Sequence, residues 1–289
     1  FAFKGAVSRE GRVVAMQNHL IGPSVRGSAT NGTRVGRAEF PALNIDHYRS
    51  ALSLIDTNTP SGAWRAPGSN SMGWAVQSFI SELAHAAGRD NVELLIELMG
   101  EPRWFVEGNR GSLNTGRAVD VIKLAAEQSG WGKTLPEGRG MGFSFHFSHS
   151  AHVAEVAEVS VDANKNVTIH KVTAAVDIGP VINMSGALKQ IEGGVLDGIS
   201  SMLGLEITMQ NGIVEQQNFH QYNILRMKNA ATEIDAHFIQ SDNHPTGLGE
   251  PCLPPVASAV CNAIFAATGH RIRTLPITKE GFSVQSINS

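Results

Sequence analysis

The segment Thr246-Gly247-Leu248-Gly249-Glu250-Pro251 stands between an apolar stretch, Ile234 to Ser241, that reads as a strand and a Pro254-Pro255 pair that opens a helix. Two glycines let the backbone turn tightly and approach a ligand, and the carboxylate after them is presented at the mouth of a strand-to-helix connection. A glutamate so placed can act as a general base; it can equally be an ordinary acid near a helix N-terminus, favoured there by the helix dipole. A second strand-loop-helix junction is Ala63-Trp64-Arg65-Ala66-Pro67-Gly68-Ser69-Asn70. Arg65 offers a planar donor fork suited to a carboxylate, a phosphate or a polarised oxygen, and Ser69 and Asn70 are candidate helix caps. The same stretch also reads as a plain helix start with a solvated arginine. A third segment, Lys189-Gln190-Ile191-Glu192-Gly193-Gly194, begins a helix that carries a further glycine at Gly198. Glycine in a helix costs roughly 1 kcal/mol against alanine, so three of them imply that another helix or a cofactor packs close. His146, His149 and His152 form H-x-x-H-x-x-H, but along one strand His149 points away from the other two, so the three cannot share a metal unless the chain bends.

Other chemistries find no support. There is no phosphate-binding loop, no nucleophile elbow and no dinucleotide fingerprint after a strand. With 23 basic against 26 acidic residues and a net charge of −3, the chain has no electrostatic reason to bind nucleic acid or an anionic membrane. Its 289 residues, 42% apolar, suffice for one large domain or two medium ones. Cys252 and Cys261 suggest neither a disulfide framework nor a zinc site. No apolar run approaches the roughly 18 residues of a membrane span. The opening residues, Phe1 to Val7, read as the middle of a strand, and the expectation is a fragment or a processed subunit.

The elements that position these segments follow from periodicity. Residues 1–60 alternate short apolar stretches with turn residues, predicting strands around a long loop from Gly22 to Gly36. Apolar residues three and four apart predict helices over Ser71 to Ala87, Val92 to Met99 and Arg117 to Gln128. Residues 141–178 read as sheet, with a hairpin across Asp162-Ala163-Asn164-Lys165-Asn166. A helix over about 186–203, strands over about 204–218 and 233–241, and a last helix from near Pro255 to Gly269 complete the chain. Hairpins outnumber strand-helix-strand units, so the fold class is α+β, mixed sheets with packed helices, in approximate subregions 1–140 and 141–289.

In combination and order, these segments resemble the molybdopterin-binding large subunit of the xanthine oxidase and aldehyde oxidoreductase family. Trp64 to Gly68 followed by Ser78-Phe79-Ile80-Ser81-Glu82-Leu83-Ala84 is similar to its arginine loop and the helix behind it. Ala175-Val176-Asp177-Ile178-Gly179 with Ile182-Asn183, then Gln190 to Gly194, resembles its pterin-contacting region. Gly247 to Pro251, Ala259 to Ile264, Ala267-Thr268-Gly269 and Arg271 to Pro276 resemble its C-terminal signature. The match runs from about residue 60 to 277. The chain passes from the arginine loop to the Ala-Val-Asp-Ile-Gly region with no Gly-Gln-Gly between, as in the isoquinoline 1-oxidoreductase branch, where that element lies earlier in the polypeptide. Met184 departs from the family's usual proline after the asparagine, and Cys252 follows the Glu-Pro pair.

The resemblance implies the C-terminal half of a catalytic subunit. It implies molybdenum held by molybdopterin, in the cytosine dinucleotide form, with no protein side chain on the metal. Glu250 is then the base. Arg65, Ala66, Pro67, Gly68, Ser69, Gln190, Gly247 and Gly249 are then the cofactor-binding residues. The implied reaction oxidises an aldehyde or N-heteroaromatic compound with oxygen from water. Implied partners are a small subunit carrying [2Fe–2S] clusters, a polypeptide with the Gly-Gln-Gly half of the site, and a cytochrome c acceptor; the implied location of the parent protein is the periplasm, otherwise the cytoplasm. The alternatives are a catalytically incomplete assembly module or an aldehyde dehydrogenase of the same architecture.

Overall fold

The computed structural model describes residues 1–33, 36 and 39–284. The chain opens with a four-stranded sheet. Its centre is β2 (Val13–Val25), flanked by β1 (Ala2–Val7) and, in parallel, by β4 (His47–Asp56), with β3 (Ser28–Ala29) folded back on its end. Met16, Asn18 and Leu20 alternate inward from β2 and are buried, as a half-covered strand requires. The loop expected from Gly22 begins later, because β4 runs alongside and holds β2 extended as far as Ser24, opposite Asp56. The part of that expected loop at 34, 35, 37 and 38 lies outside the described residues.

Three helices follow, α1 (Ser69–Ala86), α2 (Asn91–Met99) and α3 (Thr115–Ser129). Asp90 caps α2 by accepting from the amides of Val92 and Glu93, and Asn114 caps α3 by accepting from that of Arg117. α1 differs from expectation. Ser69 and Asn70 do not cap it; they are its first residues, and Gly68 stands at the N-cap with no side-chain bond. The turn before the helix places the Gly68 carbonyl, not a hydroxyl, as the acceptor for Met72 N and Ser71 Oγ.

The second sheet is a meander of β5 (Arg139–Ser148), β6 (Ala151–Val161) and β7 (Asn166–Asp177). α4 (Met184–Leu203) comes next. The strand expected over 204–218 is reduced to a small hairpin of β8 (Met209–Gln210) and β9 (Ile213–Val214), because Asn211-Gly212 turns the chain. β10 (Glu233–Phe238) then joins β7 in parallel, α5 (Pro254–Thr268) crosses the sheet, and β11 (Ser283–Val284) pairs with the start of β7. One core fills the space between this sheet and α4 and α5, with Val153, Ile169, Val172, Ile191, Ile199 and Val260 buried in it. The other lies between the opposite face and α1 to α3, around Ile80, Leu95, Ile122, Phe143, Phe145 and Val156. β6 and β7 thus contribute to both cores, and the architecture is the mixed α+β one. Among the described residues no helix is long and apolar enough to cross a membrane.

Candidate functional site

α5 approaches β5 closely because β5 presents Gly140 and Gly142 to it; a Cβ on Gly142 would stand 2.1 Å from the Ala259 carbonyl oxygen. That contact fixes where α5 begins, and Glu250 lies just before its first turn. Pro254 and Pro255 occupy that first turn and have no N–H to offer, so the Glu250 carboxylate finds its partners elsewhere. Its Oε1 accepts from the backbone N–H of Ala66, 184 residues away in sequence, at 2.9 Å. Its Oε2 lies 2.7 Å from Nε2 of His149. Ala66 is fully buried and holds a left-handed φ of 58°, a conformation that costs a side-chain-bearing residue roughly 1–2 kcal/mol. Such strain is kept where the surroundings enforce it, and here it aims the amide at the carboxylate.

Arg65 ties the three glycine-bearing segments together. Its Nε donates to the Gly249 carbonyl at 2.6 Å, its Nη2 to Gln190 Oε1 at 3.4 Å, and its Nη1 lies 3.5 Å from Asp197. The guanidinium is therefore neither a solvated surface charge nor a free anion fork; it is a staple between the loop before α1, helix α4 and the loop before α5. The glycines of α4 divide their work. Gly194 and Gly198 meet Cys252, Leu253 and Val256, which is close helix packing, whereas Gly193 faces Arg65, with an added Cβ 3.8 Å from Nη1. Gly249 likewise faces Gln190, and Gly247 has nothing within 4 Å of where a Cβ would stand.

His149 sits at the tip of the β5–β6 hairpin, where it and Ser150 both adopt positive φ, 54° and 62°. Two such residues make the primed turn that matches strand twist. The strand expected through H-x-x-H-x-x-H is therefore broken at its middle. His146 follows Ser144 on the face toward α5, and His152 precedes Ala154 on the face toward α3, so the three imidazoles diverge. Both flanking histidines are kept neutral. Burial pushes His146 down to about 4, helped by the nearby His149, and burial with the Arg117 charge pushes His152 down to about 3. His152 Nε2 accepts from the Asn114 amide at 3.0 Å.

Asp177, in the segment likened to a pterin-contacting region, is buried in a two-pronged pair with Arg117, both contacts 2.7 Å. Burial alone would lift its carboxyl, but Arg117, the Gly179 amide and Ser241 hold it below the usual carboxylate range. Its work is to anchor the end of β7. Beneath the site, Glu155 is fully buried with neither oxygen hydrogen-bonded, so its carboxyl is raised well above the usual range, and burial likewise raises the Cys252 thiol.

Two hollows border the Glu250 site. One, of about 830 Å³, is lined by Trp104, Arg110, Arg117, His149, Thr246 and Gly247 among others. The other, of about 370 Å³, is bordered by Ala66, Pro67 and Gly68 together with Trp64 and Trp74. Of the residues singled out in the sequence, Arg65, Ala66, Gln190, Gly249 and Glu250 meet in one cluster, Gly247 and Pro67-Gly68 line the flanking hollows, and Ser69 turns into α1. His149 was assigned no part there; nothing local marks a hairpin tip as the partner of a carboxylate so far along the chain. The surroundings fit a large polar ligand, with glycine positions that leave Gln190 and Arg65 uncovered and hollows on both sides.

A family model described as molybdopterin cofactor-binding domain matches residues 81–231, just over half of the chain. The chain is 34% identical over 211 residues to a membrane-bound aldehyde dehydrogenase (pyrroloquinoline-quinone) of Gluconacetobacter polyoxogenes, covering 71% of this chain and 27% of that protein. It is 28% identical over 240 residues to the isoquinoline 1-oxidoreductase subunit beta of Brevundimonas diminuta, covering 80% of this chain and 29% of that one. The chain thus spans under a third of the length of these relatives. Among solved structures, quinoline 2-oxidoreductase of Pseudomonas putida 86 shares the fold with a TM-score of 0.77 at 13% identity, covering 95% of this chain and 60% of that one.

Proposed function

Because this chain belongs to the molybdopterin cofactor-binding domain family, we propose that it forms the Glu250-bearing part of a molybdenum hydroxylase that oxidises an aldehyde or an N-heteroaromatic compound with oxygen from water. The observation that carries the reading is that Arg65-Ala66, Gln190 and Gly249-Glu250, from three distant segments, meet in one cluster around the Glu250 carboxylate, beside two open hollows. The names of its relatives, an aldehyde dehydrogenase and an isoquinoline oxidoreductase, support both substrate classes.

When bound, the molybdenum cofactor supplies the oxidising centre and the oxygen derived from water. Arg65 holds the Gln190 amide and the Gly249 carbonyl in place as polar wall, and the backbone from Ala66 to Gly68 borders the hollow where the dinucleotide extension, proposed as the cytosine form, would lie. Glu250 accepts the proton released during hydroxylation. An ionised carboxylate has about four acceptor positions, and here only one on each oxygen is used, so each keeps a free lone pair. The prolines at the first two positions of α5 offer no N–H to the carboxylate, and its two hydrogen bonds come from Ala66 and His149 instead.

The resemblance to the isoquinoline 1-oxidoreductase branch supports the rest of the proposal. It comprises a small [2Fe–2S] subunit as electron exit, a polypeptide with the Gly-Gln-Gly element as the opposite wall, cytochrome c as acceptor, and a periplasmic setting that a leader in the precursor gene would test. The decisive experiment is Glu250→Gln in the assembled enzyme. A positioned base contributes about 10²–10⁴ in rate, so turnover per bound molybdenum should fall by that factor with cofactor content unchanged. Unimpaired turnover would refute the assignment, because a merely structural acid near a helix end is worth only about 0.3–1 kcal/mol of stability.

A further inference from the structure

We propose that His149 is the positioning residue of the Glu250 base, an inference that rests on the reading of Glu250 just given. The carboxylate is gripped at both oxygens, by the Ala66 amide at 2.9 Å and by His149 Nε2 at 2.7 Å. Among the described residues no other side chain hydrogen-bonds to it. The neighbouring charges are committed elsewhere: Arg65 to Gly249, Gln190 and Asp197, and Arg117 to Asp177. Arg110 and Asp242 line the same cleft, and among the described residues neither forms a hydrogen bond or ion pair with Glu250.

A carboxylate held only by the Ala66 amide would still rotate about its last side-chain bonds. Donation from Nε2 to Oε2 removes that freedom and leaves one acceptor position on each oxygen unused, beside the cleft that His149 itself lines. Positioning of this kind acts on the rate of the step that the base assists, because a misplaced base binds substrate as before and transfers the proton more slowly. The hairpin is built for the task. His149 and Ser150 occupy positions usually given to Asn-Gly. Half exposed at the tip, His149 reaches over to a loop that no other residue of β5 or β6 touches with a hydrogen-bonding side chain.

The test uses the assembled holoenzyme and two variants. His149→Asn keeps a residue that tolerates the left-handed turn but is too short to reach Glu250; His149→Gln restores reach and a donor. The expected result is a loss in kcat of about ten- to a hundredfold for His149→Asn, the size of one hydrogen bond to a charged group. KM and molybdenum content should stay near those of the parent, and His149→Gln should recover most of the loss. A readout independent of turnover is the infrared carboxylate stretch that disappears in Glu250→Gln. It should shift in His149→Asn and return toward the parent in His149→Gln. In a Glu250→Gln background, His149→Asn should cost nothing further. An unchanged kcat and an unmoved band in His149→Asn, with Glu250→Gln still impaired, would overturn this inference alone. Unimpaired Glu250→Gln would instead overturn the reading beneath it.

Discussion

Three histidines at equal intervals occupy three environments, and their titration follows from burial. His146 and His152 are neutral in the folded protein, pushed down to about 4 and about 3 from the usual 6.5. The unfolded chain takes up protons as the pH drops through 6.5, while the folded protein does not. Stability is therefore fully present above about 6.5 and is lost as the pH falls toward 4 and then 3. Denaturation midpoints measured between pH 7 and pH 4.5 should fall steadily. His146→Phe should make that decline shallower throughout, leaving the part due to His152, and an unaltered slope in the variant would contradict the account. At this scale the sequence was partly legible. Glu250 and Arg65 could be singled out because glycines and a helix start beside a charged residue are local features. The partner of Glu250 could not, because pairing a hairpin tip with a distant loop is decided by how the sheet and α5 stack. Arg65 was legible as a donor, but its three acceptors come from two other segments.

The elements themselves were readable wherever one periodicity dominates. All five helices lie within about two residues of those expected: α1 to α4 have buried faces that repeat at helical spacing, α5 is an apolar run opened by two prolines, and Gly100, Gly130 and Gly269 end α2, α3 and α5. Less legible was what each glycine does, since the residue that fills the space comes from another element. Gly142 looks like any strand glycine, yet a Cβ there would lie 2.1 Å from the Ala259 carbonyl and 2.2 Å from the Ala263 amide, both rigid backbone. Gly142→Ala must push α5 off the sheet. Overpacking costs about 1–3 kcal/mol and more where backbone must move, so the variant should lose at least that in urea denaturation. Because α5 sets where Glu250 stands, molybdenum retention should fall with it. Gly247→Ala is the contrast. It has open space and no positive φ, so stability should be unchanged, and a fall in cofactor retention there would report a ligand close to the backbone. Equal destabilisation in both variants would show that the close approach at Gly142 is not what matters.

For the whole molecule, the question is what completes the site. The residues next to the Arg65, Gln190 and Glu250 cluster line two hollows, His149 and Gly247 one of about 830 Å³ and Ala66 to Gly68 one of about 370 Å³. The chain contains no Gly-Gln-Gly, and it spans 29% of the isoquinoline oxidoreductase subunit it resembles. A second feature points outward. Leu52, Leu54 and Ile55 on β4 and Ile21 on β2 are exposed, and β4 pairs only with β2 among the described residues, leaving an apolar sheet edge open. An uncovered apolar edge is an aggregation hazard in an isolated protein and an ordinary contact surface in an assembled one. We therefore expect the chain purified alone to hold much less than one molybdenum per chain. Joined to the proposed polypeptide carrying Gly-Gln-Gly and the proposed small iron-sulfur subunit, it should reach one per chain. Leu54→Glu, on the open edge strand, should weaken that association while leaving the fold of the chain intact by circular dichroism, because an exposed charge there costs the free chain little and its burial in a contact costs several kcal/mol. Metal content by elemental analysis and assembly by sedimentation decide the matter. Stoichiometric molybdenum and turnover in the lone chain would mean that these residues close the site by themselves.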